Sequence, residues 1–187
     1  MLKQNIEILK NGGVGVIPTD TIYGLVGSAL LPETVKRISA LKKRADDKAF
    51  IVLISSVEDL KLFNINLSEN ILEFLHKYWP GKMSLEIFSN LPKYKYLRNP
   101  DDTNAFRLPD KEDLIDLLKQ TGPLVAPSAN ISYQPPAKNI EEAKKYFGKN
   151  VDFYEDGGEL NSAPSTLVRI SGDKVEVLRQ GAVVIKA

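Results

Sequence analysis

Gly15-Val16-Ile17-Pro18-Thr19-Asp20-Thr21-Ile22-Tyr23-Gly24-Leu25 is an apolar run that ends in proline, then offers two hydroxyls, a carboxylate and a phenol before glycine lets the backbone turn again. A connecting loop needs only glycine, proline or one capping residue. Three small polar groups in a row on a strand end therefore point to a surface built to hold something. A second reading stands beside it with equal weight: an Asx or Ser/Thr turn in which Thr19, Asp20 and Thr21 satisfy their own backbone.

Upstream of this stretch, Ile6, Leu9 and Val14 with the turn signal Asn11-Gly12-Gly13 predict a short helix feeding a strand over Val14 to Ile17. Downstream, Leu31-Pro32-Glu33 opens a helix with an apolar stripe at Val35, Ile38 and Leu41 and a basic end at Lys42, Lys43 and Arg44. Phe50 to Ile54 is apolar without alternation, which suits a strand covered on both faces. Strand, helix and strand at this spacing predict a βαβ-like unit within an α/β sheet.

Further along, a helix begins at Ser55 or Ser56, and another runs from about Ser68 to Tyr78 and is ended by Pro80-Gly81. His76, beside its apolar stripe, reads as an ordinary helix histidine near a C-terminus, an end that favours cations. Met83, Leu85 and Ile87 alternate with Ser84 and Glu86, the pattern of a half-exposed strand. Asn90 to Thr103 has no period and reads as a binding or packing loop, with Tyr94 and Tyr96 open to either role. Ala105 to Leu108 is a short strand holding an arginine, and Asp110 with Asp113 predicts a capped helix stopped at Gly122-Pro123. Leu124-Val125-Ala126 again ends in proline and small polar residues, Pro127-Ser128-Ala129-Asn130, so the two loops are expected to line one cleft at neighbouring strand ends. Asn139 and Glu142 form a capping-box pattern, and Ser171-Gly172-Asp173 joins two β-rich runs as a hairpin.

At 187 residues, with 43% hydrophobic and 26% charged, the chain fits one folded domain over residues 1–187. No apolar run approaches the roughly 20 residues of a bilayer span, and the N-terminus lacks a signal-peptide pattern, so a cytoplasmic protein is expected. With no cysteine and one histidine, thiolate chemistry and a histidine-rich metal site are not expected, and no metal-binding residues are assigned. The groups that carry chemistry are hydroxyls and cations: Thr19, Thr21, Thr103, Ser128 and Ser165 with Lys42, Arg44, Arg107 and Arg179. A guanidinium held in a strand matches a carboxylate or phosphate through two parallel bonds, so the set suits an anionic ligand. Arg107, flanked by Phe106 and Leu108, needs either a partner or the solvent face of its strand. Neither a Walker A motif nor a dinucleotide fingerprint is present.

Pro18-Thr19-Asp20-Thr21-Ile22-Tyr23-Gly24-Leu25, Lys42-Lys43-Arg44, Trp79-Pro80-Gly81, Phe106-Arg107-Leu108-Pro109, Ala126-Pro127-Ser128-Ala129-Asn130, Pro164-Ser165-Thr166 and Leu178-Arg179-Gln180-Gly181 together resemble the YrdC-like threonylcarbamoyl-adenylate synthases. The blocks follow the family order over nearly the whole chain. The resemblance implies a twisted mixed sheet with flanking helices around a concave cleft (YrdC/RibB-like) and condensation of L-threonine, bicarbonate and ATP into threonylcarbamoyl-AMP with release of pyrophosphate. It also implies downstream tRNA-threonylcarbamoyl transfer proteins, a weak tRNA contact and magnesium (Mg2+) accompanying ATP. Carried over by motif, Thr21, Arg107 and Ser165 hold threonine, and Lys42 and Arg44 serve catalysis. Arg44, Lys48, Thr103, Ser128, Asn130 and Arg179 hold the nucleotide. Ala45, Ala49, Leu53 and Lys82-Met83-Ser84 depart from the family pattern. Leu53 stands where many relatives carry a threonine-contacting histidine, and the additional C-terminal domain of longer relatives is not expected. The competing readings are a structured-RNA-binding module without catalysis and the carbamoyl-adenylate domain of hydrogenase maturation.

Overall fold

This computed structural model describes residues 3–43, 49–89 and 91–186, and the described residues form one nine-stranded mixed sheet with helices on both faces. In chain order the elements are α1 (Lys3–Lys10), β1 (Val14–Pro18), β2 (Tyr23–Ser28), α2 (Pro32–Lys42), β3 (Ile51–Leu53), α3 (Glu69–His76) and β4 (Met83–Phe88). They continue with β5 (Thr103–Arg107), α4 (Glu112–Thr121), β6 (Leu124–Val125), α5 (Ile140–Phe147), β7 (Phe153–Tyr154), β8 (Thr166–Ser171) and β9 (Lys174–Arg179). The strands lie in the order β7-β1-β2-β6-β3-β5-β4-β8-β9.

The opening stretch is a hairpin. β1 and β2 pair antiparallel with Pro18 opposite Tyr23, so Thr19 to Ile22 form the connecting loop. β2 is a strand that the sequence reading passed over, because Tyr23-Gly24-Leu25-Val26-Gly27-Ser28 contains two glycines and no alternation. Both faces of it are buried, so alternation has no cause. The crossover through α2 therefore starts from β2 and not β1, and β6 is inserted between β2 and β3. Gly15 of β1 is required by close approach, since a Cβ there would overlap the ring of Phe153 on the parallel neighbour β7.

Two apolar layers hold the sheet. Val14, Val16, Leu25, Val52, Leu85, Phe106 and Val168 belong to the larger cluster, which includes residues of α2, α3 and α5. Ile17, Val26, Leu53 and Leu124 point the other way and pack with Ile6 and Leu9 of α1 and Leu114, Leu117 and Leu118 of α4. Helices α1 and α4 cover only part of that second face. Gly24, Ile51, Ala105, Arg107 and Ala126 have the same strand parity as this smaller cluster and line an open cleft.

Three local expectations change. Ser84 and Glu86 are buried like Met83 and Leu85, and it is Ile87 and Phe88 that emerge at the end of β4, so the alternation of Ser84 and Glu86 with apolar residues marks the cleft side of the strand and not a solvent face. Ser55-Ser56 leads into a 3-10 helix over Val57–Phe63, where Ser56 and Asp59 complete a capping box. Asp110 does not cap α4: the cap position is Lys111 and it makes no side-chain cap bond. Instead the Asp110 amide donates to Asp20 Oδ2 at 3.2 Å. Asn139 caps α5 as expected, accepting from the Glu142 amide at 3.0 Å, whereas Glu142 reaches back to the amide of Lys138. The loop after β4 folds into a 3-10 turn over Pro92–Leu97. There Tyr94 is buried against Phe63 with ring centroids 4.8 Å apart, and Tyr96 donates to the Ala29 carbonyl at 2.9 Å. These tyrosines pack the loop down.

Candidate active site

The two polar loops line one cleft, as expected, and the second loop pairs with the start of β2, which lies between their strands. Leu25 N donates to Pro127 O and Ala129 N donates to Tyr23 O, at 2.9 and 2.8 Å, with a bridge between Gly24 and Ser128. Between them and the edge formed by β8 and β9 lies a cleft of about 530 Å³, the size of a small-molecule site.

The first loop makes the self-satisfied turn, and Thr19 and Thr21 both line the cleft. Thr19 is the turn residue: its Oγ1 donates to Ile22 O at 2.7 Å and accepts from Thr21 N at 3.1 Å and Ile22 N at 3.3 Å. Thr21 is turned to the cleft, where its Oγ1 accepts from Arg107 Nη1 at 2.9 Å. Asp20 supplies the partner that a buried arginine requires, with Oδ1 3.0 Å from Arg107 Nη2 and both side chains about 95% buried. The sequence reading gave Asp20 no site role. Its signal was present, since a buried charge on one strand calls for a counter-charge on a neighbouring loop.

Arg107 is only 4% exposed and its Nε makes no hydrogen bond. Burial pulls its pKa below the ordinary guanidinium value, Asp20 opposes that shift and Arg179 adds to it. The Nε of Arg107 is itself buried, and Arg107 lines the wall of the cleft, where a guanidinium suits an oxyanion. Ser165 lies close to this floor, sharing a 2.8 Å hydrogen bond with Ser84 Oγ. Arg179 Nη2 donates to the Ser165 carbonyl at 2.8 Å, which fixes β9 against the cleft edge.

Lys42, at the end of α2, is 2% exposed. Its ammonium donates to the Ser128 carbonyl and, at 2.9 Å each, to Asn130 O and Asn130 Oδ1. It thereby organises the second loop, in which Ser128 Oγ donates to Asn130 Oδ1 at 2.6 Å. The αL turn at Lys43 ends the helix there.

Thr21, Lys42, Arg107, Ser128, Asn130, Ser165 and Arg179 all line the cleft. Thr103 is not among its lining residues and donates instead to Glu86 Oε1 at 2.9 Å. Arg44 and Lys48 lie outside the described residues. Glu86, Ser132 and Tyr133 also line the cleft and had no site role from sequence. Glu86 is clamped by Arg169, whose Nη2 is 2.6 Å from Oε1. Leu53, at the position raised as a departure, is fully buried on the face covered by α1 and α4. Among the described residues no helix is long and apolar enough to cross a membrane.

Residues 7–181 match the Sua5/YciO/YrdC family model, whose description reads "Telomere recombination". A Mycobacterium tuberculosis relative is 32% identical over 179 residues, covering 95% of this chain and 82% of its own length. A Pyrococcus abyssi protein named threonylcarbamoyl-AMP synthase is 31% identical over 176 residues, covering 92% of this chain and 52% of its own. The crystal structure of P. abyssi Sua5 complexed with L-threonine superposes with a TM-score of 0.88 at 29% identity, over 95% of this chain and 53% of that one. The chain thus spans about half the length of these P. abyssi proteins.

Proposed function

The chain belongs to the Sua5/YciO/YrdC family, and from that premise we propose that it is a threonylcarbamoyl-AMP synthase. It would join L-threonine, bicarbonate and ATP and release pyrophosphate. The observation that carries this reading is Arg107, a buried guanidinium bonded to Thr21 and paired with Asp20, at the wall of a cleft lined by hydroxyls and cations. The relative whose structure holds L-threonine shares this fold, and Arg107 with Thr21 and Ser165 offers the donors that an amino-acid carboxylate and hydroxyl need.

The threonine amine condenses with bicarbonate to give a carbamate and water, and a carbamate oxygen attacks the α-phosphorus of ATP with pyrophosphate leaving. Anions must be held close to one another in that step, so positioned cations and hydroxyl donors supply most of the catalysis. Arg179, Ser128 and Asn130 are assigned to the nucleotide. Lys42 acts on the anionic groups directly or by holding the Ser128–Asn130 loop at its working geometry. Arg44, Lys48 and Thr103 keep the nucleotide role by motif alone.

The donor set fits magnesium carried on the nucleotide. Among the described residues no group of three or more His, Asp or Glu side chains is placed to hold an ion, so phosphate oxygens and water would supply its ligands. Bound there, the ion would neutralise phosphate charge. The product would pass to transfer proteins that modify tRNA in the cytoplasm. A non-catalytic RNA-binding module is not favoured, since relatives across the chain are named as synthases.

The test is pyrophosphate release from ATP with threonine and bicarbonate each omitted in turn. Release that needs both supports the synthase, and release indifferent to threonine overturns it.

A further inference from the structure

Tyr133 is the most exposed large apolar side chain among the described residues, at 85%, and it lines the cleft. Its φ of +68° lies in the left-handed region, where a side chain is disfavoured and glycine is not. The conformation is enforced from both sides. Ser132 N donates to the Lys42 carbonyl at 2.8 Å, Gln134 N donates to Ile131 O at 3.0 Å, and Asn130 Nδ2 donates to Gln134 O. Pro135 follows, and its carbonyl accepts from Tyr146 Oη of α5 at 2.9 Å. The loop is thus tied to α2 and α5 and holds a largely exposed aromatic ring at the mouth of the site.

Backbone strain of this kind collects at ligand clamps. Of the three substrates assigned above, only ATP carries an aromatic ring. A phenol ring is a good surface for a base, and stacking tolerates any base because each has a π face. Ser128, Asn130 and Ser132 border the same loop and offer hydroxyl and amide groups to the rest of a nucleotide.

We propose that Tyr133 is the platform on which the nucleobase stacks, so that this loop distinguishes a nucleotide from a bare polyphosphate. The identity of the nucleotide as ATP rests on the synthase reading, whereas the stacking itself does not.

The experiment is calorimetric titration of the full chain with ATP, AMP and inorganic tripolyphosphate, for the wild type and for Tyr133→Ala, Tyr133→Gly and Tyr133→Phe. Loss of the ring is expected to weaken ATP and AMP on the order of tenfold, with Phe retaining affinity. Tripolyphosphate binding stays unchanged in all four proteins. The Gly variant relieves the φ +68° strain, so its thermal midpoint should equal or exceed the wild type's, which separates a lost platform from a damaged fold. Unchanged ATP affinity in the Ala variant, or an equal loss for ATP and tripolyphosphate, overturns the proposal. A wild type that stacks ATP on Tyr133 yet releases no threonine-dependent pyrophosphate refutes the synthase and leaves the platform standing. Threonine-dependent release with ATP binding indifferent to Tyr133 does the reverse.

Discussion

Arg107 Nη1 donates to Thr21 Oγ1 at 2.9 Å across 86 residues of sequence, while Asp20, next to Thr21, faces the same guanidinium through Oδ1. One hairpin loop therefore both neutralises the arginine and aims it. Arg107→Ala should raise the KM for threonine far more than that for ATP. It should also cost about 3–5 kcal/mol of stability, because the Asp20 carboxylate is left buried without its partner. Urea denaturation of Arg107→Ala, Asp20→Asn and the double variant checks this. The two costs should fall well short of additive, and simple additivity would show that the pair is not coupled.

Lys42 spends its ammonium on three oxygens of the Ser128–Asn130 loop. Lys42→Ala is expected to lose about 2–3 kcal/mol, from charged hydrogen bonds removed with their acceptors left buried. Nucleotide affinity should fall with it. Melting curves together with ATP titration test the link: lost turnover at full stability and full ATP affinity would assign Lys42 to chemistry alone.

The alkaline limit of stability is set in part by tyrosine. Burial, with a smaller contribution from Tyr94, pushes the Tyr96 phenol up to about 12, and its proton is bonded to the Ala29 carbonyl. Between pH 10 and about 12 the unfolded chain gives up that proton and the folded chain keeps it. The contribution is therefore complete below pH 10 and is lost as pH rises toward 12. Urea midpoints at pH 9 and pH 11.5 should drop more steeply in the wild type than in Tyr96→Phe. Parallel drops would remove Tyr96 from the account.

Asp59 Oδ2 accepts from Ser55 N and Ser55 Oγ, both at 2.8 Å, and from Ser56 N at 3.3 Å. It sits in a cap remote in chemistry from the cleft. Asp59→Ala should cost about 1–2 kcal/mol with kcat unaltered, as measured by denaturation and by pyrophosphate release. A fall in kcat without a fall in stability would contradict that separation.

Local rules were enough to read much of this protein. Pro32 at a helix start, Asn139 at a cap, and Ser171-Gly172-Asp173 in a hairpin each act through bonds a few residues long, so their meaning survives without the rest of the chain. That the Thr19–Ile22 and Pro127–Asn130 loops line one cleft was also legible, because each follows an apolar strand closed by proline and small polar groups, and in α/β sheets such ends gather on one side. Burial of polar groups was not legible. Ser84 and Glu86 look like a solvent face until β8 is seen beside β4 with Arg169 over the carboxylate. Asp20 looks like a turn residue until β5 brings Arg107 to it. Tyr23-Gly24-Leu25-Val26 shows no strand period, because both its faces are covered. Sequence pattern records what lies on either side of an element, inside or out. Which distant charge meets which, and whether a polar face opens on water or on a cleft, follows from strand order, and strand order is set by contacts summed over the whole sheet.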